Sequence, residues 1–177
     1  VIPWLNYDHS TRYILPIPPS PNLPNMRSIY LYPSLCFFEG TNVSIGRGTD
    51  FPFQVFGAPY FNKTQFSFTP QATYGAKNPK HKQKTCYGLD LRILPIDSLQ
   101  NINKLNLKWL VNSYKLSKES EVFFNKNNFF NLLAGSDKLM NLVKGGANAS
   151  HIYDTYQKDL RDYKIIRKRY LIYKDFE

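Results

Sequence analysis

The sequence predicts an α+β domain: a short mixed or antiparallel sheet packed by C-terminal helices and preceded by a proline-rich extended leader. Three observations lead there. Pro16, Pro18, Pro19, Pro21 and Pro24 crowd the stretch from Tyr13 to Met26, and a chain so punctuated runs extended or turning, never helical. Strand-like alternation is confined to residues 51–94, while helical spacing dominates from residue 97 onward. Strands first and helices later is the α+β order. With 177 residues, 42% of them hydrophobic and 13 each of Tyr and Phe, the chain has the length of one domain and enough apolar mass for a core.

Arg27–Phe38 is apolar and aromatic but interrupted by Pro33, so two short helical turns are expected, with Pro33 in the first turn of the second. Phe51–Tyr60 reads as a strand stopped by Gly57-Ala-Pro59, Phe66–Thr69 as a second short strand, and Thr85–Leu94, with clear period two, as a third. Lys77–Lys84 between them is basic and reads as an exposed hairpin tip. A helix capped by Asp97 or Ser98 carries Leu99, Ile102, Leu105 and Trp109 on one face. Phe123–Leu132 predicts a helix ending at Gly135, and Ser136 starts another that ends at Gly145-Gly146. The last and longest helix, capped by Ser150, has the stripe Ile152, Tyr156, Leu160, Tyr163, Ile166 and Tyr170, the spacing of a buried face.

Net charge is +10, which raises the question of a nucleic acid or anionic surface. Its distribution argues against that. Residues 1–75 hold four basic and three acidic side chains, a net +1, and the remaining +9 lies among the helical patterns. A solvated lysine-rich face accounts for it, and no nucleic-acid partner is expected. No run approaches the roughly 20 apolar residues of a membrane span. The chain lacks a starting Met and a signal-peptide pattern and is expected to be a mature or cut piece. Cys36 and Cys86 cannot make a zinc site, and the three His have no ligand spacing. No metal or organic cofactor is expected. The cysteines fit either one disulfide or two separate thiols. Asn42, Asn62 and Asn148 match the short glycosylation pattern.

The densest polar segment is Glu39-Gly-Thr-Asn-Val-Ser-Ile-Gly-Arg-Gly-Thr49. No core needs a carboxylate, an amide, three hydroxyls and a guanidinium together, because buried polar groups cost free energy unless each is paired. Gly40, Gly46 and Gly48 allow positive φ and close approach of the main chain to a ligand. Gly46-Arg47-Gly48-Thr49 can hold a carboxylate or phosphate, but it lacks the Lys and spacing of a P-loop. Asn42, Ser44 and Thr49 suit sugar hydroxyls or an acetamido group, and Glu39 suits proton transfer. A purely structural reading has Glu39 capping local N–H groups and Arg47 pairing with Asp50. Asp90 and Arg92, two apart on one strand face, can either reach the loop or line a solvated sheet.

Pro19-Ser-Pro-Asn-Leu-Pro24, Tyr32-Pro33, the Glu39–Ser44 and Gly46–Thr49 strings, Pro52-Phe53, Gly57-Ala-Pro59, Cys86–Arg92 and Arg169-Tyr-Leu-Ile-Tyr173 together resemble the NamZ family, first catalogued as a domain of unknown function. That resemblance implies a bacterial exo-β-N-acetylmuramidase, a hydrolase that removes N-acetylmuramic acid from the non-reducing ends of peptidoglycan fragments during cell-wall turnover. It implies two domains, a Rossmann-like N-terminal half and an α+β C-terminal half, with the active site between them. Residues 1–26 would be the linker from the N-terminal half, and residues 27–177 the C-terminal domain. The family's upstream block with its catalytic glutamate is not in this chain, so one wall of the site, inactive alone, is expected here. On that reading Glu39 is the catalytic contribution. Asn42, Ser44, Arg47, Thr49, Asp90 and Arg92 bind substrate, with Arg47 on the lactyl carboxylate. The partners are a muramic-acid glycan and the Rossmann-like half, in a periplasmic, secreted or lipid-anchored protein. A non-catalytic module that grips cell-wall sugar is the alternative.

Overall fold

The computed structural model of the chain describes residues 1–61, 65–117 and 123–175; Asn62, one of the glycosylation matches, lies outside them. Helix α1 (Met26–Leu35) starts where the prolines stop. Asn25 caps it by accepting from the Ser28 N–H at 3.0 Å, and the Ser28 hydroxyl faces back to the Asn25 backbone, closing a reciprocal cap. The two turns expected around Pro33 are one helix: Pro33 sits on its exposed side and is tolerated in its last turn. A 3₁₀ turn, Cys36–Gly40, follows directly and carries Glu39.

Strands β1 (Val55–Ala58), β2 (Phe66–Phe68) and β3 (Cys86–Asp90) form an antiparallel sheet in the order β1-β3-β2. Register pairs Val55 with Asp90 and Phe68 with Cys86. All three lie within the segments the alternation marks. Helices α2 (Ile96–Gln100), α3 (Leu107–Leu116), α4 (Phe129–Ala134), α5 (Lys138–Lys144), α6 (Ala149–Thr155) and α7 (Gln157–Arg167), with a closing 3₁₀ turn at Lys168–Tyr170, complete the described elements. The architecture is α+β, as the sequence predicts.

Three helical expectations change. The helix foreseen from residue 97 is two, because residues 101–106 leave helical geometry and Asn106, not Asp97 or Ser98, caps the second. Gly135, at φ +77°, ends α4 as expected, but α4 itself covers only Phe129–Ala134, Phe124 is bridged to Thr41, and Asp137 instead of Ser136 stands at the start of α5. The long final helix breaks at Tyr156 and is capped by Asn148 instead of Ser150. Of its apolar stripe only Ile152 is buried. Tyr163, Ile166 and Tyr170 are 59%, 51% and 78% exposed, so spacing identified a packing face but not a cover for it.

The core lies between α1, the sheet and α3–α6. Phe38 stacks on Phe56 with ring centres 5.0 Å apart, and Phe123, Phe124 and Phe130 pack edge to face beneath them. The leader is bonded to this same chain at several points. Asn22 donates to the Gly75 carbonyl at 2.8 Å, Arg12 to the Asn101 amide oxygen at 2.9 Å, and the Trp4 N–H to the Tyr173 hydroxyl at 2.7 Å. Cys36 and Cys86 are free thiols, and burial pushes Cys86 up to about 12. Among the described residues no helix is long and apolar enough to cross a membrane.

Candidate functional site

The Glu39–Thr49 segment is strung between two parts of the core. Asn42 N–H donates to the Phe123 carbonyl at 2.7 Å and Asn125 N–H to the Gly40 carbonyl at 3.0 Å. On the other side Ser44 and Gly57 exchange two hydrogen bonds of 2.9 Å. Its glycines serve different needs. Gly46 and Gly48 take φ of +76° and +85°, which side-chain-bearing residues rarely adopt. Gly40 does not have positive φ; a Cβ there would stand 2.4 Å from the Phe130 Cα. It is required for space, letting the turn lie on α4.

This wiring opens a cavity of about 620 Å³ lined by Glu39, Ser44, Arg47, Lys77, Lys80 and Phe129, among others. Arg47 Nη1 and Glu39 Oε2 are 3.6 Å apart, with the side chains 41% and 22% exposed. That is an ion pair too long for a good hydrogen bond. The partner of Arg47 is therefore Glu39 and not Asp50. Arg47 Nε is buried and has no hydrogen-bond partner among the described residues. A buried donor without a partner costs about 1–3 kcal/mol, and the remainder of the guanidinium, on a side chain 41% exposed, is the part open to an anion in the cavity. Glu39 is the one carboxylate among the described lining residues.

The segment read as an exposed hairpin tip supplies the cavity's two other cations, Lys77 and Lys80. Lys80 is mostly buried, and its Nζ donates to the carbonyls of Phe38, Glu39 and Thr41 at 2.8, 3.0 and 2.5 Å. Burial pushes the ammonium down to about 8, Glu39 opposing and Arg47 adding to the shift. Beside it His81 Nε2 meets the Asn42 carbonyl at 2.8 Å, and burial lowers its pKa. Order along the chain held no signal for this, since Lys80 meets carbonyls about 40 residues upstream.

The other sequence-predicted site residues stand apart from this cavity. Thr49 spends its hydroxyl on the Gly46 carbonyl at 2.6 Å and also accepts from the Phe51 N–H, locking the turn. Asn42 contributes its carbonyl to Tyr60 and His81 and is not among the lining residues. Asp90 and Arg92 face each other: Arg92 Nε and Nη2 donate to the two carboxylate oxygens at 2.9 and 2.8 Å, and the guanidinium lies 4.0 Å over Phe51. Hydrogen bonds from Arg92 hold the Asp90 carboxyl below its usual range. The structure thus gathers Glu39, Ser44 and Arg47 at the cavity and adds Lys77, Lys80 and Phe129, which the sequence reading missed.

The α+β fold that carries this loop is shared with known proteins. Residues 30–173 match the family described as exo-beta-N-acetylmuramidase NamZ, C-terminal, and the chain belongs to that family. The peptidoglycan beta-N-acetylmuramidase NamZ of Bacillus subtilis is 32% identical over 166 residues, covering 88% of this chain and 40% of that protein. A crystal structure of a DUF1343 family protein from Bacteroides fragilis superposes with a TM-score of 0.90 at 46% identity, over 97% of this chain and 48% of that one. A second such protein from the same organism, at 20% identity and TM-score 0.66, shares the fold. This chain therefore spans less than half the length of these relatives.

Proposed function

We propose that this chain forms one wall of the active site of an exo-acting β-N-acetylmuramidase, which releases N-acetylmuramic acid from the non-reducing ends of peptidoglycan fragments. The carrying observation is the long Glu39–Arg47 pair at the cavity, which leaves the accessible part of the guanidinium open to a ligand. N-acetylmuramic acid offers what these groups lack, a lactyl carboxylate for Arg47 and ring hydroxyls and an acetamido group for Ser44 and Glu39. Lys77 adds positive charge at the same cavity, which favours a sugar acid over neutral glucosamine.

Hydrolysis of a glycosidic bond generally uses two carboxyl groups about 5–10 Å apart across the scissile bond. Glu39 is the carboxyl this wall contributes. The second comes from a Rossmann-like N-terminal half packed over the cavity. One carboxyl donates its proton to the leaving oxygen, while the other either attacks the anomeric carbon or activates the water that does so. Peptidoglycan lies outside the cytoplasm, so the protein acts in the periplasm, on the cell surface or after secretion. The single carboxylate also fits a second reading, a module that grips cell-wall sugar without cleaving it.

The test is release of N-acetylmuramic acid from a chromogenic muramic-acid glycoside, by this chain alone and mixed with a Rossmann-like N-terminal half. Activity only in the mixture is expected. Turnover by the chain alone would overturn the split-site reading, and binding without turnover in the mixture would select the binding module.

A further inference from the structure

A helix end leaves carbonyls without intrahelical partners, and the α1 end with its 3₁₀ turn is such a place. Here the carbonyls from Phe38 to Asn42 are each met from outside the turn. Asn125 N–H and its side-chain amide reach the Gly40 and Glu39 carbonyls at 3.0 and 3.2 Å. The Tyr60 hydroxyl donates to the Asn42 carbonyl at 3.0 Å. Lys80 joins them: three carbonyls surround its Nζ, that of Thr41, that of Glu39 shared with Asn125, and that of Phe38 shared with the Thr41 N–H and hydroxyl. An ammonium has three N–H donors and no acceptor, so it can fill this cage without leaving a donor over.

The geometry resembles a metal ion in a ring of backbone oxygens more than a surface ion pair. A buried charge is costly unless it is paired and hydrogen-bonded, and the cage supplies that compensation with dipoles instead of a carboxylate. We propose that Lys80 is the positioning residue of this wall, an internal cation around which the Phe38–Asn42 turn is wound, and that it sets where the Glu39 carboxylate stands opposite Arg47. Its consequence for catalysis rests on the muramidase reading; its structural role does not.

The titratable groups facing Lys80 are Glu39 and Arg47 across the turn and His81 beside it. Deprotonation of Lys80 leaves an amine with one donor fewer and no charge to hold three carbonyl dipoles.

Amide hydrogen exchange on this chain tests the proposal at Thr41, Asn42 and Ser44, whose N–H groups are hydrogen-bonded. Lys80→Met keeps the stem and removes the donors. It is expected to speed exchange at these three amides by about tenfold or more, with the β1–β3 amides unchanged. Lys80→Arg should recover part of the protection. Exchange in Lys80→Met equal to wild type would overturn the proposal. Should Lys80→Met not fold, the wild-type chain decides: the Lys80 ammonium protons, held by three carbonyls, should exchange at least about tenfold more slowly at pH 6 than those of the exposed lysines, and exchange as fast as theirs overturns the proposal. Absence of muramic-acid hydrolysis in the wild-type mixture, together with the faster exchange expected of Lys80→Met, sinks the proposed function and leaves Lys80's structural role intact. In an active mixture Lys80→Met should lower kcat more than it raises KM, since the carboxyl is displaced without loss of a substrate contact.

Discussion

Three carboxylate–guanidinium pairs occur among the described residues, and two of them, in the half that carries the polar loop, are built in opposite ways. Asp90 and Arg92 are joined by two short parallel hydrogen bonds, and the guanidinium is covered by Phe51. Glu39 and Arg47 are 3.6 Å apart, lack a hydrogen bond between them, and share a cavity in which one guanidinium N–H is buried and unpaired. The first pair has spent its hydrogen-bonding capacity on itself. The second keeps its capacity for something else. All four residues are conspicuous in the sequence, where Arg47 is matched with Asp50 instead of Glu39, so geometry, and not residue type, separates a structural pair from one open to a ligand.

The largest effect that could break this contrast is at Glu39. In the two-part assembly, Glu39→Gln is expected to lower kcat on a muramic-acid glycoside by about 10²–10⁴-fold, the range for loss of a positioned proton-transfer group. Initial rates with Asp90→Asn alongside should fall by less than about twofold. A mild Glu39→Gln effect would reduce Glu39 to a sugar contact and move both catalytic carboxyls elsewhere.

Arg47 comes next. A charge-assisted hydrogen bond contributes about 1.5–3 kcal/mol, so Arg47→Ala should weaken kcat/KM for the muramic-acid substrate by about 10- to 150-fold. An otherwise identical glucosamine glycoside, without the lactyl carboxylate, should lose far less. Stability should hardly move, because pairs this exposed contribute about 0–1 kcal/mol. Equal losses on both substrates would remove the lactyl assignment.

How much of this was legible beforehand follows the range of each interaction. The strands come from local alternation around residues 55, 67 and 88, and the structure places all three there. Glu39, Ser44 and Arg47 stood out because no core tolerates that mixture in eleven residues. Lys80 did not, because in its local window it is one more Lys in a basic stretch; its meaning lies in three carbonyls about 40 positions away. Gly40 was noticed for the wrong reason, since sequence suggests φ while the structure shows crowding against Phe130. The final helix shows the same limit. Periodicity records that Tyr163 and Ile166 share a face but carries no information on what that face meets.

A smaller effect is written in pH. Folded Lys80 is pushed down to about 8 from an ordinary 10.5, so between those values the folded chain binds fewer protons than the unfolded one. Stability from this group therefore rises with pH, by about 1 kcal/mol between pH 8 and 9. The Cys86 thiol, pushed up from 9.0 to about 12 by burial, works the other way, because the folded chain holds its proton longer. The measurement is accordingly the difference in urea unfolding between wild type and Lys80→Met at the two pH values. Parallel curves would mean that Lys80 keeps its proton in the cage throughout.

The smallest expected effect belongs to the satisfied pair. Arg92 is 40% exposed on its side chain and Asp90 19%, so solvent screens much of their attraction. Arg92→Ala should cost about 0.5–1 kcal/mol, part of it from the lost contact with Phe51. A double-mutant cycle with Asp90→Ala should return a coupling of about 0.5 kcal/mol, read from denaturant midpoints at neutral pH. The folded Asp90 carboxyl sits below its usual range, so this coupling is present above the ordinary carboxyl pKa and disappears as pH falls through the folded value. Muramic-acid turnover should stay within about twofold of wild type. If Arg92→Ala instead cost as much turnover as Arg47→Ala, a closed bidentate pair would be no bar to a ligand role. The loose geometry at Glu39 and Arg47 would then lose its force as the mark of a site.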